Sequence, residues 1–217
     1  MEVEKHITVS KTSRVFYSHE YRGDEKELVI VLHGYGQSAR HFLRKFAPIA
    51  TPQRLVIAPE GLHRFYTQGF SGRVGASWMT REDRLNDIKD YISYLDQVLS
   101  SCHSANDQPK LTILGFSQGG ATAVRWMCES RFTFDRLILW AASFPHDVDF
   151  PAHAPRLRET PPELVVGNED EFIKASQLQD LEELLNAQQI PFSLQKFDGK
   201  HDIDASTLAS IFSIGMQ

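Results

Sequence analysis

The stretch Leu111-Thr112-Ile113-Leu114-Gly115-Phe116-Ser117-Gln118-Gly119-Gly120 decides the fold. Its first four residues have strand character, and the residues Gly119–Glu129 predict a helix. The pattern G-x-S-x-G between a strand and a helix is typical of a sharp turn that lifts a serine hydroxyl above a sheet. A serine on such a turn takes a strained conformation, and side chains at positions 115 and 119 would collide with neighbouring segments. Ser117 is therefore the expected nucleophile.

An ordinary glycine-rich turn is the plain alternative for this segment. Such turns are common in α/β proteins, and the pentapeptide alone does not exclude one. A serine nucleophile also needs a base that takes its proton and a carboxylate that orients the base. The rest of the chain must therefore supply those groups.

Outward from this stretch, strands and helices alternate. The β-rich runs Ile7–Ser10 and Arg14–Ser18 predict an N-terminal hairpin. Further strands are predicted at Leu28–Leu32, Leu55–Ala58, Leu111–Leu114, Leu137–Trp140, Leu164–Val166 and Phe192–Phe197. Further helices are predicted at Ser38–Ala50, after an N-cap at Thr80, at Ala175–Gln188 and from Asp204. This alternation predicts an α/β fold with a mostly parallel central sheet and helices on both faces.

Length and composition favour one domain, spanning 1–217. The formal charge of -5, with both signs mixed along the chain, gives no footprint for nucleic acid. The N-terminus lacks the features of a signal peptide and no apolar run could span a bilayer, so a cytoplasmic location is expected. Cys102 and Cys128 fall in predicted helical stretches and indicate reduced thiols rather than a disulfide framework.

The orienting acid is expected on the turn after the strand Leu164–Val166. Asp170 lies there, with its neighbour Glu169 as the alternative. The plain role for Asp170 is a helix N-cap or a solvated loop charge. Its position after a strand favours the acid.

The base is expected to be a histidine that follows the acid, because the chain order for this kind of serine turn is nucleophile, acid, histidine. His201 comes after Asp170 and follows the last predicted strand through the short turn Asp198-Gly199-Lys200. His146 and His153 precede Asp170. His201 is therefore the expected base.

Acyl transfer also needs donors aimed at the developing oxyanion. One is the backbone N–H of Gln118, at a helix N-terminus; the other should come from the loop His33-Gly34-Tyr35-Gly36-Gln37. Tyr35 could turn its N–H toward the site, although its flanking glycines could simply shape a tight turn. His33 is expected to be structural.

Four segments together resemble the phospholipase/carboxylesterase/thioesterase branch of the α/β-hydrolases: Leu32-His33-Gly34-Tyr35-Gly36, Gly115-Phe116-Ser117-Gln118-Gly119-Gly120, Gly167-Asn168-Glu169-Asp170 and Lys200-His201. Their order and spacing match along most of the chain. The resemblance implies the α/β-hydrolase fold, a triad of Ser117, Asp170 and His201, and oxyanion positions at Tyr35 and Gln118. Two residues depart from the family pattern, because Lys200 replaces a common glycine and Tyr35 a common aliphatic residue. Substrate preference therefore does not carry over.

Substrate contacts are expected from the long connection before Thr80, which begins at the carboxyl end of a strand. Its aromatic side chains could line a pocket for an acyl or aromatic group; they are Phe65, Tyr66 and Phe70. Arg73 could lie near a polar group of the substrate. The alternative is an Ω-like loop whose aromatics pack against each other. Trp78 is expected to pack rather than to bind.

The segment between the strands at Leu137–Trp140 and Leu164–Val166 is short and rich in proline, so no large cap domain is expected. A shallow, open site should follow, lined by Phe144. The histidines lack a metal-ligand spacing such as H-E-x-x-H, so no metal or organic cofactor is expected.

These features predict a serine hydrolase that cleaves carboxylic ester or thioester bonds of small to medium acyl substrates through an acyl-enzyme on Ser117. The expected partner is a small-molecule acyl substrate, without nucleic acid or integral membrane association. A lysophospholipase or a peptidase is the next hypothesis within this fold. From another class, a catalytically silent ligand-binding receptor remains, since a fold does not dictate function.

Overall fold

The computed structural model describes residues 2–102 and 108–213. A seven-stranded sheet forms its centre, and a separate two-stranded hairpin stands beside it. In chain order the elements are β1 (Val15–Tyr17), β2 (Glu27–Leu32), α1 (Ala39–Leu43), β3 (Arg54–Pro59), β4 (His63–Gln68), β5 (Ser71–Ser77), α2 (Arg84–Ser101), β6 (Lys110–Phe116), α3 (Gln118–Glu129), β7 (Arg136–Trp140), α4 (Phe150–Glu159), β8 (Pro162–Gly167), α5 (Ala175–Ala187), β9 (Ser193–Phe197) and α6 (Ala205–Ser213).

The strand order of the central sheet is β1-β3-β2-β6-β7-β8-β9. Strand β1 pairs antiparallel with β3, and the other neighbours are parallel. The predicted mostly parallel sheet is therefore confirmed. Because parallel strands end at the same edge, the segments that follow β2, β6, β8 and β9 meet on one side of the molecule.

Both faces of the sheet are covered, as the continuous apolar runs of its strands require. Along β2 the side chains alternate, so that Ile30 joins the core beneath α2, α3, α4 and α5, whereas Val31 joins the core beneath α1 and α6. Both side chains are fully buried. No large cap domain is present in the described parts of the chain.

The predicted N-terminal hairpin is wrong. Residues Ile7–Ser10 form no strand, and the side chains of Ile7 and Val9 are 83% and 76% exposed. Residues Val15–Tyr17 instead add to the edge of the central sheet, where Phe16 lies opposite Ala58. A partner distant in sequence thus replaced the local one.

The predicted N-cap at Thr80 is also wrong, because α2 begins only at Arg84. The backbone N–H of Thr80 donates to Oδ2 of Asp87 at 3.0 Å, and its hydroxyl donates to the carbonyl of Glu82 at 3.0 Å. These bonds fold the preceding residues into a turn. Asp83 occupies the N-cap position of α2 instead, with a backbone in the left-handed region at φ 51°.

Two further differences concern helices. The predicted helix Ser38–Ala50 is reduced to α1 and a 3₁₀ turn at Arg44–Phe46. Helix α4 lies in the proline-rich segment and was not predicted. Pro151 sits in its first turn, where proline is tolerated, and Asp149 caps it by accepting from the N–H of Ala152 at 3.2 Å. No described helix is long and apolar enough to cross a membrane.

Candidate active site

Ser117 occupies the sharp turn between β6 and α3, with φ 52° and ψ -119°. This is an unfavourable conformation for a residue with a side chain, so the surrounding structure must hold it. The N–H of Ser117 donates to the carbonyl of Trp140 at 3.0 Å, and its carbonyl accepts from Gly120 at 2.9 Å. A Cβ atom at Gly119 would lie 2.1 Å from the carbonyl oxygen of Leu32. The turn therefore requires glycine at that position.

The structure brings Asp170 and His201 together, with Nδ1 of His201 2.8 Å from Oδ2 of Asp170. The Asp170 side chain is fully buried. Its other oxygen, Oδ1, accepts from the N–H groups of Phe172 and Ile173 at 2.8 and 3.0 Å. The neighbouring Glu169 is exposed. Asp170, rather than Glu169, is thus the acid that contacts the histidine.

Backbone contacts join the two loops that carry this pair. The N–H of Asn168 donates to the carbonyl of Phe197 at 2.8 Å, and that of Glu169 to the carbonyl of Gly199 at 2.9 Å. A Cβ atom at Gly167 would lie 2.3 Å from the Gly199 carbonyl oxygen. The close approach of the loops therefore depends on glycine at the end of β8.

The imidazole of His201 is held between two aromatic rings and is only 16% exposed. Its centroid lies 4.9 Å from that of Phe116 and 4.7 Å from that of Phe172. Phe116 directly precedes Ser117, so this packing places the ring beside the serine turn. Because a carboxylate only accepts hydrogen bonds, Nδ1 carries the proton and Nε2 is left as the basic nitrogen.

His33 is a structural residue, as expected. Its ring is fully buried, and burial lowers its pKa despite the hydrogen bond to the Gly34 carbonyl. Nδ1 donates to that carbonyl at 2.7 Å, while Nε2 accepts from the N–H of Gly61 at 3.0 Å. The indole of Trp78 donates to the His33 carbonyl at 2.8 Å, so Trp78 packs and bonds in the core. The neutral ring thereby fixes the start of the loop after β2.

This loop lies against the serine turn. A Cβ atom at Gly34 would be 3.3 Å from Cβ of Ser117. Gly36 has a positive φ of 69° and donates to the carbonyl of Ala76 at 2.8 Å, which ties the loop to β5. Tyr35 stands between these glycines with a side chain that is 64% exposed. The backbone around Tyr35 is therefore fixed even though its ring is not buried.

Gln118 also makes side-chain hydrogen bonds that the sequence did not reveal. Its backbone N–H lies in the first turn of α3, and the N–H groups of a helix's first turn have no intrahelical partners. Its side chain reaches the end of β5, with Nε2 3.0 Å from Oγ of Ser77 and 3.1 Å from the Met79 carbonyl. Oε1 accepts from the N–H of Trp78 at 3.2 Å. The side chain thus joins the serine turn to the segment before α2.

The long connection expected to contact substrate, for which an Ω-like loop was the alternative, is a β-hairpin, β4–β5. The expected substrate residues do not all lie at one place on it. Phe65 packs against Tyr35, with centroids 5.2 Å apart, and so reaches the loop after β2. Tyr66 is 53% exposed, and Arg73 lines a different groove, next to α1. Phe70 is not brought to the site, because it is fully exposed near the hairpin tip.

Phe144 does not line an open site. Its side chain is only 6% exposed and packs against Phe150, the first residue of the unpredicted helix α4, at 5.6 Å between centroids. The helix covers this ring and makes it part of the core. This expectation failed because α4 was missed.

The remaining titratable residues considered from sequence lie elsewhere. His146 is exposed, and Nε2 of His153 lies 3.1 Å from Oε1 of Glu129 on the surface. Cys102 and Cys128 are free and buried, and burial raises their pKa values to about 11 and about 12. No group of three or more potential metal ligands of the types His, Cys, Asp and Glu occurs among the described residues.

Sequence reasoning also missed a groove of about 580 Å³ that opens beside Tyr35 and Gln118. Its basic lining residues are Arg81, Arg84 and Arg125. Arg125 lies seven residues after Gln118 in α3, so helical spacing could have placed both on one face. The contribution of Arg84 depends on where α2 begins, which was not predicted correctly.

Comparisons with known proteins agree with this architecture. A model of the family described as Phospholipase/Carboxylesterase matches residues 18–214. A comparison with curated proteins gave no significant match. Among solved structures, acyl-protein thioesterase 2 of Zea mays superposes with a TM-score of 0.73 at 18% identity, covering 94% of this chain and 97% of that one.

Two bacterial structures are similarly close. A carboxylesterase from Mesorhizobium loti has a TM-score of 0.67 at 17% identity, covering 93% of this chain and 92% of that one. A phospholipase/carboxylesterase from Dyadobacter fermentans has a TM-score of 0.67 at 14% identity, covering 95% and 97%. The predicted α/β-hydrolase fold is confirmed.

Proposed function

Because the chain belongs to the phospholipase/carboxylesterase family, we propose that it is a serine hydrolase that cleaves carboxylic ester or thioester bonds through an acyl-enzyme on Ser117. The observation that carries the proposal is the 2.8 Å contact between Nδ1 of His201 and a fully buried Asp170 carboxylate, beside the strained serine turn. A base oriented in this way is what an unactivated hydroxyl needs to become a nucleophile.

In the proposed acylation step, Nε2 of His201 takes the proton of the Ser117 hydroxyl as its oxygen attacks the acyl carbon. The carbonyl π electrons move to oxygen and form a tetrahedral oxyanion. When this intermediate collapses, the bond to the leaving alcohol or thiol breaks, and the imidazolium returns its proton to that group. Ser117 then carries the acyl group as an ester.

Deacylation repeats these steps with water. Nε2 of His201 takes a proton from a water molecule, whose oxygen attacks the acyl-serine ester. The second tetrahedral intermediate then releases the carboxylic acid, and the serine oxygen recovers its proton from the imidazolium. The two steps together consume one water molecule and regenerate the free enzyme.

Asp170 is proposed to act through His201 rather than on the substrate. Two backbone N–H groups occupy its Oδ1, which leaves Oδ2 to receive Nδ1–H of the histidine. This arrangement holds the imidazole in the tautomer whose Nε2 is free to accept a proton. It also stabilises the imidazolium that forms during each attack.

The oxyanion is proposed to be stabilised by the backbone N–H groups of Tyr35 and Gln118. Gln118 is the first residue of α3, and Tyr35 lies on the loop whose Gly34 faces Ser117. A donor of this kind contributes about 3 kcal/mol to transition-state stabilisation. The bonds of Gly36 to β5 and of the Gln118 side chain to Ser77 preorganise both donors.

The proposed substrates are small to medium acyl esters and thioesters. The open groove beside Tyr35 and Gln118 has room for a short acyl chain, and no large cap domain encloses it in the described parts of the chain. The similar plant structure is named a thioesterase and the similar Mesorhizobium loti structure a carboxylesterase, which supports both leaving-group chemistries.

The experiment that tests this function is the hydrolysis of 4-nitrophenyl butyrate and of a butyryl thioester by wild type and Ser117→Ala. Wild type should hydrolyse at least one of them, and Ser117→Ala should lose nearly all turnover while its thermal unfolding stays close to wild type. The removed oxygen lies on a partly exposed turn, so folding should survive. Substantial turnover by the folded variant would contradict the proposal.

A further inference from the structure

The groove beside Tyr35 and Gln118 is lined by three arginines. Such a lining is unusual for a site that binds an apolar acyl chain. Gln118 and Arg125 lie on one face of α3, two helical turns apart. Arg84 begins α2, and Arg81 precedes it. The helix that starts at the nucleophile therefore also carries a guanidinium into the adjoining groove.

Two of these guanidiniums share one carboxylate. Nη2 of Arg84 lies 2.7 Å from Oδ2 of Asp147, and Nη2 of Arg125 lies 2.7 Å from Oδ1 of the same residue. Arg81 is exposed and has no ion pair among residues 2–102 and 108–213. The cluster thus carries more positive than negative charge.

The acidic residues near the start of α2 bond to groups other than these arginines. Oδ1 of Asp83 accepts from the amide of Asn86 at 2.8 Å. Asp87 contacts His63 through Oδ1 and the N–H of Thr80 through Oδ2, both at 3.0 Å. Glu82 is exposed. Among the described residues, Asp147 is therefore the carboxylate that forms ion pairs with the arginines of the groove.

The three arginines differ in exposure: Arg81 is exposed and the Arg84 side chain is 40% exposed, whereas Arg125 is held in low-dielectric surroundings. The Arg125 side chain is only 9% exposed, and its Nη1 lies 3.5 Å from the hydroxyl of Tyr91. Burial alone would lower the pKa of Arg125, but the hydrogen bond that it donates to Asp147 raises it, so the guanidinium stays charged. Nε of Arg84 is buried and makes no hydrogen bond in the part of the chain that the structure describes. A bound carboxylate would supply the acceptor that this Nε lacks, because guanidinium and carboxylate groups match in geometry.

The position of the groove relative to His201 indicates which part of the substrate it receives. In the proposed reaction His201 gives its proton to the leaving group, so the leaving group must face His201. The groove instead adjoins the two oxyanion residues, and none of its described lining residues comes from the loops that carry Asp170 and His201. An acyl chain would therefore extend from Ser117 into it.

The distance to the arginines sets the length of that chain. Arg125 follows Ser117 by eight residues, an axial rise of about 12 Å. Its long side chain leans back toward the helix N-terminus, which shortens the gap. An acyl group with roughly six carbons brings a terminal group to the guanidiniums.

We propose that the groove is a subsite for a carboxylate at the far end of the acyl chain, so that the preferred substrates are half-esters or half-thioesters of dicarboxylic acids. Arg84 and Arg81 would pair with the carboxylate, and Arg125 would support them through the shared Asp147. This inference rests on the proposed function of Ser117 and adds a substrate class to it.

The test compares two 4-nitrophenyl esters of equal length, the half-ester of adipic acid and the same ester of its monoamide. Wild type is expected to prefer the carboxylate by about tenfold or more in kcat/KM, since charge-assisted hydrogen bonds exceed neutral ones by that order. Arg81→Gln and Arg84→Gln should each lower this ratio, and the double variant should bring it close to one. Arg64→Gln is the matched control, because Arg64 is exposed on β4 and does not line the groove.

Two results would overturn the subsite while leaving the proposed function intact. The first is hydrolysis of both esters by wild type with no preference for the carboxylate. The second is a preference that persists in the folded double variant. Failure of wild type to hydrolyse any of these substrates, including the 4-nitrophenyl butyrate and the butyryl thioester used above, would instead contradict the hydrolase proposal and the subsite with it.

Discussion

Nδ1 of His201 lies 2.8 Å from Oδ2 of Asp170, although 31 residues separate them in sequence. Parallel pairing of β8 with β9 produces this contact, since it brings the ends of both strands to one edge of the sheet. Gly167 lies beside Phe197 in that pairing, so the two loops leave the sheet at the same level. The relationship between these side chains is therefore a consequence of strand register.

The first prediction separates Asp170 from its neighbour. Asp170→Asn should lower kcat on 4-nitrophenyl butyrate by about 10⁴-fold, because an amide favours the wrong tautomer of the histidine. Glu169→Gln is the matched control and should stay close to wild type, since Glu169 is exposed. A large loss in the control together with a small loss in Asp170→Asn would move the acid to Glu169.

The second prediction concerns the base. kcat/KM should rise with pH and then level off as a single group loses its proton, because a general base must be neutral in the free enzyme. His201→Gln should remove this dependence along with most activity. His146→Gln and His153→Gln should keep both the profile and the rate. Equal damage from either of these folded variants would show that the base is not His201.

The third prediction links His33 to acid stability. Burial lowers the pKa of His33, so in acid the imidazole binds a proton more readily in the unfolded chain than in the folded protein. The stabilising effect of the neutral ring is therefore present above about pH 6.5 and is lost as the pH falls below it. Urea unfolding should show a His33→Gln variant that is less stable than wild type at pH 8, with a smaller difference at pH 5. A difference that does not change with pH would contradict this role.

The fourth prediction tests the packing of the serine turn. Gly119→Ala should destabilise the protein by roughly 3 kcal/mol, because its Cβ would overlap the backbone of Leu32. Gly69→Ala is the control: nothing lies within 4 Å of its added Cβ, and its positive φ costs about 1 kcal/mol. Equal unfolding free energies for the two variants in urea would mean that the turn tolerates a side chain at position 119.

The sheet and the proposed triad could be predicted because both depend on local signals. Strands such as Glu27–Leu32 are short apolar runs, and Ser117, Asp170 and His201 each follow such a run. In a parallel sheet, this position alone places the residues at a common edge. Chain order then distinguished His201 from the earlier histidines.

Long-range contacts decided what could not be predicted. Strand Val15–Tyr17 pairs with β3, about forty residues later in the sequence, and not with the neighbouring segment Ile7–Ser10. Helix α4 was not predicted because its prolines suggested a loop, although Pro151 lies in the first turn, where helices tolerate proline. The pairing of Arg84 and Arg125 with Asp147 joins three distant segments, and no local pattern indicates it.

The most direct test of the central claim is covalent labelling with a fluorophosphonate, followed by mass spectrometry of the intact protein and its peptides. Such a probe reacts with a serine that a neighbouring base activates. The account predicts a single adduct on the peptide that contains Ser117, absent from Ser117→Ala and strongly slowed in Asp170→Asn. A folded wild-type protein that takes up no label, or carries it on another residue, would contradict the account and favour a silent ligand-binding receptor or a different nucleophile.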